Sequence, residues 1–100
     1  MLLNETQQTT VFRILRRYLP QHRVMAFGSR VKGNPKPYSD LDLAILDGPL
    51  PLSLMATLAH AFEESDLPFK VDLLDFAAAD PTFQNLITAQ GENLPFPGKT

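Results

Sequence analysis

Asp40 and Asp42 alternate with Leu41 and Leu43, and on a β-strand that alternation sends both carboxylates out of one face while the leucines enter the core from the other. At a Cα separation of about 7 Å the two charges repel by roughly 2 kcal/mol at an effective dielectric near 20. Something positive is expected between them. Oxygen donors with no His or Cys beside them select a hard cation, and Mg²⁺ in particular takes one or two carboxylates together with water and substrate phosphates. Taken alone, a D-x-D pattern is more often a solvated acidic edge. A third acid changes the balance: Asp72 interrupts the apolar run Val71-Asp72-Leu73-Leu74, where an ionised carboxylate is costly unless it is paired or metal-bound. If that run is a strand lying beside the first, Asp72 reaches the face of Asp40 and Asp42, and the three form a candidate two-metal site. The competing reading is a salt bridge to Lys70, two residues back on the same face. Asp75, on the opposite parity, reads as a turn residue.

Gly28-Ser29 sits where an apolar run ends and an irregular segment begins. Glycine lets backbone N–H groups approach an anion closely, and the serine hydroxyl adds a donor. Arg30, Lys32 and Lys36 follow and can offset the charge of a polyphosphate that the carboxylates would repel.

The elements that must hold these residues are legible from periodicity. Val11, Ile14, Leu15, Tyr18 and Leu19 form the stripe of an amphipathic helix from about Glu5 to Leu19, stopped by Pro20. Its other side carries Arg13, Arg16 and Arg17, read as a solvated flank. Arg23 to Phe27 is a first strand. Ser29 to Ser39, with Gly33, Asn34, Pro35 and Pro37, is a loop. Asp40 to Leu46 is a second strand closed by Asp47-Gly48. A helix follows from Leu50-Pro51-Leu52 to near Ser65, burying Met55, Leu58, Ala59 and Phe62. Phe69 to Leu74 is a third strand. Asp80-Pro81 is an N-cap with Pro at the first helical position, opening a last helix that buries Phe83, Leu86 and Ile87 and stops at Gly91. The expected architecture is α/β (α+β): a small mixed sheet of three core strands, with room for a fourth short one, flanked by helices. Residues 1–94 form the domain and 95–100 a flexible C-terminal tail. The phenylalanines are spread among these elements and read as core, and His22 and His60 as structural rather than catalytic.

Composition sets the outer bounds. One hundred residues support one domain with one modest core. A net charge of −2 argues against nucleic acid as a direct partner, because phosphate neutralisation needs an excess of Lys and Arg. The absence of Cys excludes disulfides and thiolate metal sites. Apolar runs of a few residues are far short of the roughly 20 that span a bilayer, and Asn4-Glu5-Thr6-Gln7-Gln8 leaves no signal-peptide core after Met1-Leu2-Leu3. A cytoplasmic protein is expected.

Gly28-Ser29, ten intervening residues and Asp40-Leu41-Asp42 reproduce a G-S-x10-D-x-D signature. Four fixed residues at that spacing arise by chance in on the order of one unrelated chain in a thousand of this length. With Ala26-Phe27 before it, Leu43-Ala44-Ile45 after it and Val71-Asp72-Leu73 further on, the chain resembles the minimal nucleotidyltransferases of the DNA polymerase β-like nucleotidyltransferase superfamily over about residues 5 to 94. The resemblance implies a nucleoside triphosphate with two Mg²⁺ ions. Asp40 and Asp42 are then ligands of both metals and Asp72 the third ligand, beside the acceptor. Gly28 and Ser29 cradle the β- and γ-phosphates, and Arg30 and Lys32 are further nucleotide contacts. Minimal members often read Gly-Ser-Arg-Ala-Arg-Gly, whereas Val31 and Lys32 stand here, and Lys32 keeps the charge without the bidentate geometry. Larger relatives append a helical domain that binds base or acceptor. Minimal ones are commonly paired with a HEPN-domain protein, a helical toxin whose tyrosine they adenylylate. The resemblance thus implies AMP transfer from ATP to such a partner, and an antitoxin role. Two other readings stand beside it: a non-catalytic module that neutralises a helical partner by masking it, and nucleotidyl transfer to a small molecule or an RNA end.

Overall fold

The computed structural model describes residues 3–28, 31 and 39–94. Helix α1 (Glu5–Tyr18) begins at Asn4, whose side chain accepts the Gln7 N–H at 2.8 Å while the Gln7 side chain accepts the Asn4 N–H at 3.1 Å. This reciprocal cap satisfies two backbone donors that the first turn would otherwise leave unpaired. Val11, Ile14 and Leu15 form its buried stripe, and the Leu19 N–H closes the last turn onto the Leu15 carbonyl at 2.7 Å, just ahead of Pro20.

Strands β1 (Val24–Phe27) and β2 (Leu41–Ile45) pair antiparallel, with Phe27 opposite Asp42 and Ala26 opposite Leu43. Helix α2 (Leu52–Glu63) then carries the chain over to β3 (Val71–Asp75), which runs parallel to β2. A parallel neighbour requires such a crossover. After a 3-10 turn at Phe76–Ala78, helix α3 (Pro81–Gln90) starts at Asp80, whose side chain accepts the Phe83 N–H at 2.9 Å. A two-residue strand β4 (Glu92–Asn93) returns beside β1, giving the sheet order β3-β2-β1-β4. The fourth strand has its physical reason in Leu94: its N–H bonds to the Val24 carbonyl at 3.0 Å and its side chain is buried, so the chain near residue 93 belongs to the fold rather than to a loose tail.

Strand parity divides the sheet into two unlike faces. Val24, Ala26, Leu41, Leu43 and Ile45 point to one face and are buried with the stripe of α1 and with Leu58 and Phe62 of α2. Met25 and Ala44 point to the other, where Ile87 of α3 covers them with help from Phe27, Leu74 and Phe83. Among the described residues the second face is covered by one short helix. Leu86, expected in the core, is 45% exposed, because α3 rests on the sheet mainly through Ile87. Residues 95–100, read as a tail, lie outside the described residues.

Among the described residues no helix is long and apolar enough to cross a membrane. At the end of β2, Asp47 adopts φ 65°, and its carboxylate takes the Arg23 guanidinium in a fork, Nη2 to Oδ1 at 2.7 Å and Nε to Oδ2 at 3.1 Å. The Arg23 backbone N–H donates to Oδ2 as well, at 3.0 Å. The turn expected at Asp47-Gly48 is thereby tied to the start of β1.

Candidate active site

Asp42 and Asp72 are direct cross-strand partners in the parallel β2–β3 pair. Facing residues of neighbouring strands project to the same side, so the two carboxylates share the face that carries α3. Asp40 immediately precedes β2, two residues from Asp42 and of the same parity, and is exposed. Its charge is felt at Asp42, whose carboxyl is held above the usual carboxylate range first by burial, then by Asp72 and then by Asp40. No described residue donates a hydrogen bond to that carboxyl.

Gly28 completes the arrangement from the other side. It follows β1 directly and sits beside Asp42 with φ +83°, in the region that favours glycine. A Cβ placed there would run into the Asp42 carboxylate, with its Cγ only 3.2 Å away. The glycine is thus required twice, by the backbone turn and by the close approach of the acid. The Val31 N–H donates to the Gly28 carbonyl at 3.1 Å. Ser29, Arg30 and Lys32, expected at the nucleotide, lie outside the described residues.

The salt bridge expected between Asp72 and Lys70 is present. Asp72 faces Asp42, and its Oδ1 also lies 3.3 Å from Lys70 Nζ in an exposed pair. Such a pair is worth about 0–1 kcal/mol and leaves the carboxylate exchangeable. Asp75 behaves as a turn residue: Oδ1 accepts the Ala77 N–H at 3.2 Å and Oδ2 the Leu50 N–H at 2.9 Å.

The sequence reading missed what lies beside Gly28. Phe27 and Phe83 meet edge-to-face with ring centroids 5.8 Å apart. With Leu86 and Ile87 they wall a cleft of about 210 Å³ that opens at the glycine. The parity of Phe27 with Asp42 was the available signal, since a residue facing an acid at a sheet end borders whatever the acid holds.

The donor set suits Mg²⁺: carboxylate oxygens only, with the most buried of them carrying negative charge that no described donor relieves. Among the described residues, Asp40, Asp42 and Asp72 included, no group of three or more His, Cys, Asp or Glu side chains is gathered so as to hold a metal ion, so the expected three-acid cluster is represented here by the facing pair Asp42 and Asp72. A cation here would complete its shell with water and with oxygens of a bound phosphate, as Mg²⁺ does in nucleotide sites.

A mixed sheet with acids at facing positions of two parallel strands and a positive-φ glycine beside them is the frame of a nucleotidyltransferase. Residues 10–95 match the family described as "Polymerase beta, Nucleotidyltransferase", and the chain belongs to it. The chain is 52% identical over 75 residues, 74% of its length, to the probable protein adenylyltransferase MntA of Haemophilus influenzae (strain ATCC 51907 / DSM 11121 / KW20 / Rd). The match spans 66% of that relative's length. Among solved structures, a mutant form of the toxin–antitoxin MntA–HpeT is similar with a TM-score of 0.71 and 28% identity, over 93% of this chain and 72% of the other. A toxin–antitoxin crystal structure with AMP-PNP is similar with a TM-score of 0.71 and 26% identity, over 86% of this chain and 70% of that one.

Proposed function

We propose that this chain transfers AMP from ATP to a tyrosine hydroxyl of a HEPN-domain partner and so acts as the antitoxin of a toxin–antitoxin pair. The observation that carries the reading is the facing of Asp42 and Asp72 across β2 and β3, with Gly28 closing in on Asp42 from β1. The similarity to a protein adenylyltransferase, and to toxin–antitoxin structures of which one holds AMP-PNP, supports the donor, the acceptor class and the partner.

In this reading Asp40, Asp42 and Asp72 are the catalytic acids and would hold two Mg²⁺ ions. Bound Mg²⁺ would supply positive charge against the negative charge that develops on the reacting phosphoryl group. Gly28 and Ser29 hold the β- and γ-phosphates through backbone N–H groups and the serine hydroxyl, and Arg30 and Lys32 add positive charge at the same anion. Asp72 stands on the acceptor side and takes the phenolic proton. The tyrosine oxygen then bonds to the α-phosphorus as the bond from that phosphorus to the α–β bridging oxygen breaks, and pyrophosphate leaves. Catalysis belongs to residues 1–94, with 95–100 as a tail, and dependence on ATP sets the chain in the cytoplasm.

The test is incubation with ATP, Mg²⁺ and a HEPN-domain partner that forms a complex with this chain, followed by mass spectrometry of the partner. The expected result is addition of AMP on tyrosine, lost in Asp42→Asn and in Asp72→Asn. A masking role is distinguished by the same variants: if they still neutralise the partner in cells as well as the wild type does, the catalytic reading fails.

A further inference from the structure

On the side of Asp72 away from Asp42 the sheet ends: among the described residues β3 has β2 as its single strand neighbour. The Lys70 carbonyl accepts the Leu41 N–H at 2.9 Å, so the backbone groups of Lys70 face β2. Along a strand these groups alternate sides. Those of Asp72 and Leu74 therefore face β2 as well, and those of Val71 and Leu73 point outward along the open edge. Beneath that edge, between β3 and α2, runs a groove of about 440 Å³ walled by Met55, Ala59, Phe62 and Leu67, with Lys70 and Asp72 at its rim. Asp72 lines this groove along the strand and faces Asp42 on β2, so the β3 edge borders the groove on one face of the sheet and the candidate site on the other.

We propose that this edge and groove dock the protein substrate, with an extended segment of the partner added along β3. Its tyrosine stands on the Asp72 face and an adjacent apolar side chain fills the groove. The proposal rests on the adenylyl-transfer reading and names how its acceptor is held. An added strand lies about 4.8 Å from β3 and alternates its side chains. Side chains on one parity stand beside the Asp72 carboxylate, and those on the other enter the groove against α2. The tyrosine and the groove-filling residue are therefore neighbours in the partner's sequence. Met55, Phe62 and Leu67 in its lining favour a large aliphatic or aromatic residue, and its volume exceeds that of a small side chain. Charge narrows the partner further: Glu63 and Asp72 stand at the groove against Lys70, which is already engaged with Asp72. The remaining negative charge favours a basic residue near the tyrosine over an acidic one. Lys70 itself discourages indiscriminate strand pairing, a usual guard on an exposed edge.

The experiment is amide hydrogen exchange on this chain with and without a HEPN-domain partner that forms a complex with it, combined with two variants. Ala56→Trp, at an exposed α2 position on the groove wall, obstructs the groove, and Val71→Pro removes an outward N–H from the edge. Exchange at the Val71 and Leu73 amides should slow by about tenfold or more in the complex. Each variant should raise the dissociation constant for the partner, and the KM for it in transfer, by about tenfold while the KM for ATP stays within about twofold. Ala56→Trp decides the matter where Val71→Pro does not fold. Unchanged exchange at both amides, or an Ala56→Trp variant that binds the partner as the wild type does, overturns the proposal. Protection of the same amides in the free chain as its concentration rises also overturns it, because a second copy then occupies the edge. A wild type that binds the partner and protects these amides without transferring AMP defeats the adenylyl-transfer reading alone.

Discussion

Replacing Asp42 with asparagine should strengthen the fold while abolishing transfer, and the two effects have one cause. The Asp42 carboxyl is held above its ordinary range by burial, by Asp72 and by Asp40. The folded chain therefore keeps that proton more readily than the unfolded chain does. In the metal-free protein the ionised side chain opposes folding, fully at pH values above its raised folded pKa and not at all well below the unfolded value of about 3.9. Two carboxylates about 6 Å apart at an effective dielectric of 20 repel by nearly 3 kcal/mol. Asp42 is only half-buried and Lys70 partly neutralises Asp72, so screening reduces the net cost to about 1 kcal/mol. For a domain of this size that corresponds to a Tm about 4–8 °C higher for Asp42→Asn in EDTA at pH 7. Thermal unfolding followed by circular dichroism at pH 7 and at pH 3 is the assay. The gain should vanish at pH 3, where both forms are uncharged at this position. Added Mg²⁺ at pH 7 should raise the Tm of the wild type more than that of the variant. A variant less stable than the wild type at pH 7 without metal, or a gain that persists undiminished at pH 3, would refute the electrostatic argument.

Gly28→Ala should cost about 1–3 kcal/mol from its positive φ alone, plus the clash with the Asp42 carboxylate. In a double-mutant cycle measured by urea unfolding, pairing it with Asp42→Ala should recover about 1 kcal/mol of that loss, and strict additivity would count against the contact. Asp47→Ala should destabilise by about 1–2 kcal/mol, because it removes the fork to Arg23 and leaves alanine at φ 65°. The kcat of transfer should stay within about twofold of wild type at a temperature where the variant is folded, since the turn lies at the end of β2 opposite to Asp40.

The site was readable where one residue's parity settled its face. Asp42 between Leu41 and Leu43, and Asp72 between Val71 and Leu73, could point only one way if the leucines were to be buried, and the pairing of the two strands then brought the acids together. The helices were readable for the same reason, from stripes such as Val11, Ile14 and Leu15. What escaped, or in the case of the fourth strand was allowed for but not placed, depends on contacts between distant segments. Leu86 has the spacing of a core residue, yet the narrow footprint of α3 leaves it exposed. The short β4 has no pattern of its own and is held by the burial of Leu94 and its bond to the Val24 carbonyl. The Phe27–Phe83 contact joins two residues 56 positions apart by sequence number, and no local spacing announces it.

The β2–β3 register ties correct assembly to competence. A slip of β2 by one residue would turn Asp42 toward the apolar helices and drive Leu41 into water, an arrangement penalised on both sides of the sheet. The same burial that stabilises the sheet therefore selects the one alignment that sets Asp42 opposite Asp72.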